Sequence, residues 1–209
     1  PTIADLLYNA ETNTAVFVIT GDQTDEKNQV LKSVTLAYKK IHDLGAYVVQ
    51  PQLVGFPSSG SQLEVLYPNK QHYENGKTQK VKWYYDQIRL SDGKVIATKL
   101  LVDEAKITDI TESSGIYLVP NSISPNNKLT VYTYYKQTTQ YSSSPVLAFA
   151  NNSTGALTAK TVAGYQGSSE FLWSPDNGKV FLTTYSSTEK KQFGTIYDLA
   201  KGTLADITD

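Results

Sequence analysis

A period of about fifty residues is the strongest constraint in this chain, because a unit recurring at that spacing must stack on its neighbours to bury a core. Near the C-terminus the order reads Phe171-Leu-Trp-Ser-Pro-Asp-Asn-Gly-Lys-Val-Phe-Leu-Thr-Thr184, a polar stretch over 185–192, then Gly194-Thr-Ile-Tyr-Asp-Leu-Ala-Lys-Gly-Thr-Leu-Ala-Asp-Ile207. Alternating apolar residues cut by turn formers read as strand, turn, strand, long hairpin, strand, tight turn, strand. Earlier the order recurs as Ile123-Ser-Pro-Asn-Asn-Lys-Leu-Thr-Val-Tyr-Thr-Tyr134, a polar loop through Ser144, Val146-Leu-Ala-Phe149, a turn over 151–155 and Ala156-Leu-Thr158. The Ser-Pro pairs at Ser124 and Ser174 keep the register. At the N-terminus Val16-Phe-Val-Ile-Thr20 aligns with Val180-Phe-Leu-Thr-Thr184, and Thr24-Asp-Glu-Lys-Asn-Gln29 with Thr188-Glu-Lys-Lys-Gln192.

A less regular copy fills the middle, where Leu63-Glu-Val-Leu-Tyr67 leads to a polar hairpin over 68–79, a strand over 81–90, the turn Ser91-Asp-Gly93 and Lys94-Val-Ile-Ala97. Asp-Gly between two strand-like runs is a strong hairpin signal. The repeats fall at approximately 1–54, 55–106, 107–160 and 161–209, in a single domain or a segment of a larger one. Thr2-Ile-Ala-Asp-Leu6 also resembles Thr203-Leu-Ala-Asp-Ile207, so the chain starts and stops at one point of the repeat. That predicts a segment of a longer array, or one closed through a partner or a second copy, since an open strand edge invites pairing.

Composition agrees with an all-β chain. It holds 15 tyrosines and many threonines, residues that suit a pleated and half-buried surface. There is no cysteine, which removes disulfides, thiolate metal sites and a thiol nucleophile. Charges balance at 19 basic and 20 acidic residues, leaving no basic footprint for nucleic acid and no cationic face for a membrane surface. No apolar run approaches the roughly 20 residues of a spanning helix. Methionine is absent even at position 1, so Pro1 reads as following a cleavage point or boundary. With Ser, Thr, Asn, Gln and Tyr dominating the polar positions, the expected location is extracytoplasmic: periplasmic, cell-surface or secreted.

One segment fits two periods. Val30, Val34, Ala37, Tyr38, Ile41 and Leu44 fall at helical spacing, with Asp25 and Glu26 before them and Gly45 after. A helix there would create an α/β unit over residues 15–56 and a small-molecule site at the Gly21-Asp22 loop. Against it, Val34-Thr-Leu-Ala-Tyr38 also alternates as a strand, and the repeat assigns 29–38 to β structure.

Trp173-Ser-Pro-Asp-Asn-Gly-Lys-Val-Phe-Leu-Thr resembles the repeat of TolB-like β-propellers, whose blades carry Trp-Ser-Pro-Asp-Gly-Lys leading into the second strand. Ile196-Tyr-Asp-Leu199 is similar to their third strand. The signature is partial at Ile123-Ser-Pro-Asn-Asn-Lys128 and degraded in the first two repeats, where Tyr8-Asn-Ala-Glu11 and Pro57-Ser-Ser-Gly60 stand in its place. Asn177 departs from it as an inserted residue, which a hairpin absorbs. The resemblance implies roughly four blades of a propeller, used as a scaffold for binding and sometimes as the non-catalytic domain of a peptidase. It implies no activity by itself.

Site chemistry is sparse. His42 and His72 fall in predicted turn or hairpin regions without a carboxylate at catalytic or metal-ligating spacing, and no Gly-x-Ser-x-Gly elbow is present. Asp22, Asp25 and Glu26 cluster in one loop as weak calcium candidates, but without the alternating ligands and glycine of an EF-hand they read better as a solvated hairpin. No catalytic residue and no cofactor is expected. Trp83, Tyr84, Tyr134 and Tyr135 are the weak binding candidates, because aromatic faces with polar rims stack on sugars or anchor peptides. Adjacent strand residues point to opposite faces, so packing competes with that role. Asn151-Asn-Ser153 and Asn152-Ser-Thr154 are overlapping glycosylation sequons. The expected function is a non-catalytic module for a protein or glycan partner.

Overall fold

The computed structural model of the chain describes residues 2–21, 29–37, 39–57, 60–74, 76–111, 115–139, 142–160, 162, 165, 167–168, 170–186 and 191–207. Two compact units divide it, Pro1–Leu100 and Leu101–Asp209. In the first, β1 (Thr2–Asn9), β2 (Thr14–Thr20), β3 (Gln29–Thr35) and β4 (Lys40–Tyr47) form an antiparallel sheet in chain order. A second sheet joins β5 (Gln52–Gly55), β6 (Gln62–Pro68), β9 (Lys82–Arg89) and β10 (Val95–Asp103), again neighbour to neighbour. A small ribbon, β7 (Tyr73–Glu74) and β8 (Lys77–Thr78), stands in the loop between β6 and β9.

Period-two alternation sorts these strands onto a common core. Val16 and Val18 of β2, Leu31 of β3 and Leu44 of β4 meet Leu53, Leu63, Val65 and Ile88 of the second sheet, all buried. Each such side chain contributes roughly 1.5–3 kcal/mol by leaving water.

The second unit repeats the plan. Its first sheet has three strands, β11 (Leu129–Thr139), β12 (Ser142–Asn151) and β13 (Leu157–Lys160), and its second has β14 (Phe171–Trp173), β15 (Lys179–Ser186), β16 (Lys191–Asp198) and β17 (Thr203–Asp206). Val131, Leu147 and Phe149 pack against Phe171, Trp173, Val180 and Leu182. The Trp173 ring meets Phe149 edge-on at 6.3 Å, and its Nε1 donates to the Ser122 carbonyl at 3.4 Å.

The two Ser-Pro turns match bond for bond. The Ser124 backbone N–H donates to the Leu129 carbonyl at 2.9 Å, as Ser174 does to Lys179. Ser124 Oγ accepts from the Leu129 N–H and Ser174 Oγ from the Lys179 N–H, each at 2.9 Å. Asn127 and Asn177 take φ values of 53° and 61°, the left-handed region that asparagine tolerates better than most residues. Asn177 therefore holds a defined place in the turn rather than forming an insertion that the loop merely absorbs. The two turns also touch, with the Asn126 N–H donating to Asn177 Oδ1 at 3.0 Å.

Several expectations need correction. The α/β alternative over residues 15–56 is not realised: β3 and β4 occupy 29–35 and 40–47, since Val30 and Val34 also satisfy strand alternation and pair with Ala46 and Ile41. The N-terminal alignment is one residue out. Val16 and Val18 face the following sheet, whereas Val180 and Leu182 face the preceding one, and a one-residue slip exchanges the two faces of a strand. The predicted polar loop at 135–144 is largely ladder, with Lys136 opposite Ser144 and Gln137 opposite Ser143. In the third repeat Ile123 makes only an isolated bridge to Thr130, where Trp173 of the fourth lies in strand β14 opposite Val180. The likeness between 2–6 and 203–207 joins unlike positions, because β1 is the first strand of its sheet and β17 the last of its own. Among the described residues no helix is long and apolar enough to cross a membrane.

Three substitutions test this packing. Gly93 has φ +68°, and a Cβ there would lie 2.5 Å from the Asp43 carbonyl oxygen, while Gly155 has φ +69° and open space. Gly155→Ala is expected to cost about 1–2 kcal/mol from backbone strain, and Gly93→Ala measurably more, in urea unfolding. Trp173→Ala is expected to cost about 3–5 kcal/mol, and an unchanged melting temperature would contradict its place in the core.

Candidate functional site

Tyrosines form a polar cluster in the first unit. Tyr67 stacks on Tyr84 at 5.8 Å and meets Tyr47 edge-on at 4.8 Å. Its hydroxyl donates to Asp86 Oδ2 at 3.0 Å, and Thr98 Oγ1 donates to Asp86 Oδ1 at 2.7 Å. Both oxygens of a carboxylate only 4% exposed are therefore engaged, as a buried charge requires. Burial pushes the Tyr47 and Tyr67 phenols well above the usual tyrosine range, and the Asp86 carboxylate adds to the shift. Both stay protonated, and Tyr67 serves as a hydrogen-bond donor.

The four aromatic candidates occupy separate places. Trp83 is buried and lies 6.5 Å from the His72 ring, while Tyr84 is half-buried on the opposite face of β9. Tyr134 and Tyr135 divide in the same way, at 2% and 41% exposure. Burial, with Asp109 accepting its hydrogen bond, pushes the Tyr134 phenol up to about 12. The Tyr135 ring passes so close to Gly167 that a Cβ there would lie 2.9 Å from its hydroxyl. No shared aromatic platform results, because strand alternation separates each pair. Asp22, Asp25 and Glu26 lie outside the described residues, among which no group of three or more His, Asp or Glu side chains is arranged to hold a metal ion.

A polar cavity of about 360 Å³ opens in the first unit. Thr12 lines it from the β1–β2 turn, Thr14, Ser33, Thr35 and His42 from the first sheet, and Ser61, Gln62 and Arg89 from the segment around the second. His42 was expected in a turn; it lies within β4 opposite Ser33 and is half-buried, because Lys40–Tyr47 continues the ladder. Arg89, the only arginine of the chain, also holds Asp92 at 3.0 Å. The described residues of the lining offer hydroxyl, amide, imidazole and guanidinium groups and no carboxylate. Sequence reading missed this site because its residues are far apart in the chain and belong to ordinary strand positions. A second cavity, about 390 Å³, lies in the other unit beside Phe171, Leu172 and Phe181.

The sequon asparagines are both committed to structure. Asn151 Oδ1 accepts from the Ser153 and Thr154 N–H groups at 2.9 and 3.0 Å. Asn152 is buried and accepts from Thr130 Oγ1 at 2.7 Å.

No protein-family model matches the chain, and no curated protein matches it. Solved structures do. TolB from Acinetobacter baumannii superposes with a TM-score of 0.51 at 14% identity, over 99% of this chain and 43% of that one. The β-propeller domain of the Trilobed protease from Pyrococcus furiosus gives 0.51 at 10% identity, over 99% and 57%. The chain thus spans about half the length of these structures, and it has an all-β fold of the TolB-like β-propeller type.

Two measurements test the tyrosine chemistry. Asp86→Ala leaves the Tyr67 and Thr98 hydroxyls without their acceptor and is expected to cost about 1–3 kcal/mol in urea unfolding. A free tyrosine ionises near pH 10, and the folded-state value of Tyr134 is raised to about 12. Its contribution is whole below pH 10 and is lost as pH climbs towards 12, so the melting temperature is expected to fall across that window. Tyr134→Phe should flatten the fall, as followed by thermal melts and tyrosinate absorbance.

Proposed function

We propose that this chain is a non-catalytic propeller module, its blades at approximately 1–54, 55–106, 107–160 and 161–209, that works outside the cytoplasm and binds a protein or glycan partner. The observation that carries the reading is the polar cavity of the first unit. Threonine and serine hydroxyls both donate and accept, Gln62 adds an amide and Arg89 a cation, a set that suits a hydroxyl-rich ligand such as a sugar. Glycoside hydrolysis ordinarily needs two carboxyl groups flanking the bond, and the lining supplies none. That lining supports recognition without turnover. An extracytoplasmic setting is supported by the surface chemistry, rich in uncharged polar residues and free of cysteine.

A second reading is a propeller domain separated from a peptidase, favoured by the likeness to the propeller domain of the Trilobed protease. A catalytic domain elsewhere in the parent reading frame would establish it.

Titration calorimetry against a panel of oligosaccharides tests the first reading. One ligand class is expected to bind, with Gln62→Ala and His42→Ala each weakening it at least about fivefold, close to 1 kcal/mol. Binding that ignores both substitutions would remove the cavity from the proposal. Hydrolysis of an ester, peptide or glycoside, abolished by one substitution in this chain, would overturn the non-catalytic reading.

A further inference from the structure

The Ser174 turn of the fourth repeat contains an asparagine followed by a glycine, Asn177-Gly178, and that pair carries a reaction of its own. The Gly178 backbone nitrogen attacks Asn177 Cγ, and the side-chain amide nitrogen leaves as ammonia with the proton that the Gly178 nitrogen gives up. The product is a succinimide ring. Water then opens the ring at one of its two carbonyls, which leaves either aspartate or isoaspartate, the latter with the main chain running through the former side chain. One water is consumed and one ammonia released, so no other reagent is needed. Glycine favours the attack because it has no Cβ to crowd the ring.

In this fold each group that must move is held. The Gly178 N–H donates to Asp176 Oδ1 at 3.0 Å, Asn177 Oδ1 accepts from the Asn126 N–H at 3.0 Å, and Asn177 Nδ2 donates to the Pro175 carbonyl at 3.3 Å. The backbone is tied on both sides as well, the Asn177 N–H donating to the Ser174 carbonyl at 2.9 Å and the Gly178 carbonyl accepting from the Leu199 N–H at 3.0 Å. Reacting atoms must align at about 3–3.5 Å, so groups bonded in this way react only when the turn opens locally. Asp176 holds the nitrogen without taking its proton, because the Ser174 hydroxyl and the Gly178 N–H keep its carboxyl below the usual carboxylate range and leave it a poor base.

The Ser124 turn has the same frame and different chemistry. Asn126 stands in the place of Asp176, its Oδ1 accepting from Ser124 Oγ at 2.9 Å and from the Lys128 N–H at 3.1 Å, and Asn127 stands in the place of Asn177. The residue that follows is Lys128, whose side chain obstructs the attack that Gly178 allows. Of the two turns, that of the fourth repeat alone joins the labile pair to a side chain bonded to its neighbour.

We infer that Asn177 is a self-modification site, a succinimide-forming asparagine whose conversion is gated by the clasp between the Ser124 and Ser174 turns. Isoaspartate lengthens the main chain inside the turn, so the Asn126 clasp does not re-form, and a transient opening is recorded as a covalent mark. This chemistry is independent of any ligand in the polar cavity.

Peptide mass spectrometry on the 209-residue chain, aged at mildly alkaline pH both folded and in guanidinium chloride, tests it. Asn177 is expected to convert in the denaturant and at least about tenfold more slowly in the folded chain, while Asn127 stays intact over the same period. Asp176→Ala removes the acceptor of the Gly178 N–H and should raise the folded-state rate at least about fivefold with no change in denaturant. Gly178→Ala places a Cβ at ordinary contact distances of 3.4 and 3.5 Å from the Asp176 carboxylate oxygens, so it should keep the circular dichroism spectrum and slow conversion at least about tenfold in denaturant. Equal Asn177 rates in the folded and unfolded chain would overturn the gating, as would a folded-state rate that falls in Asp176→Ala. An Asn177 that stays intact in denaturant would overturn the site itself.

Discussion

Packing of one sheet face on the next is the constraint on which the rest of this protein depends, and it is set at the turns. A strand in such an array must present apolar groups on both faces, because each face meets a different neighbour. Which residues go forward and which go back is decided by the hairpin that joins the first two strands of a sheet. In the second unit the Ser124 and Ser174 turns close with the same bonds, and Trp173 and Val180 fall on the backward face. In the first unit Asn9 does the corresponding work through its side chain, accepting from the Glu11 and Thr12 N–H groups at 2.9 and 3.2 Å. The chemistry differs, the turn is closed by pairing Asn9 with Thr14, and Phe17 rather than Val16 is sent backward.

Several polar groups inside this packing are matched by named partners, although Lys80 Nζ and Thr195 Oγ1 are buried without a hydrogen-bond partner. Asp86 sits between two hydroxyl donors, Glu104 at 1% exposure accepts from the Ile116 N–H at 2.6 Å, and Asn152 holds Thr130. An unpaired carboxylate in such a place costs far more than its hydrogen bonds return when made, so these groups tie loops to strands at defined points. The same economy explains why the buried tyrosines are structural. Burial pushes their phenols away from ionisation.

The candidate site lies where that packing leaves room. Small hydroxylated residues at the ends of β2 and β3 keep the space beside Gln62 and Arg89 open, whereas larger side chains at Thr14, Ser33 and Thr35 would fill it. A propeller scaffold offers such sites without committing the fold to any chemistry, so the proposed function is argued from these side chains and not from the likeness to other propellers.

Strand positions, the turn at Asp92 and Gly93, and the kinship of the Ser124 and Ser174 turns were legible in the sequence, because each follows from local alternation and local hydrogen bonding. Mixed evidence over the described residues 29–37 and 39–44 also resolved as the repeat suggested, with β3 and β4 pairing where a helix period was equally readable. The register of the first repeat was not legible. Aligning Val16 with Val180 rewards similar residues at a one-residue offset, and only the Asn9 to Thr14 pairing shows that the two valines face opposite ways. Nor was the polar cavity, since Ser33, His42, Gln62 and Arg89 share no motif and meet only when two sheets stack. Alternation along a strand is a property of the chain, but which neighbour covers each face is a property of packing, and that the tertiary structure alone decided.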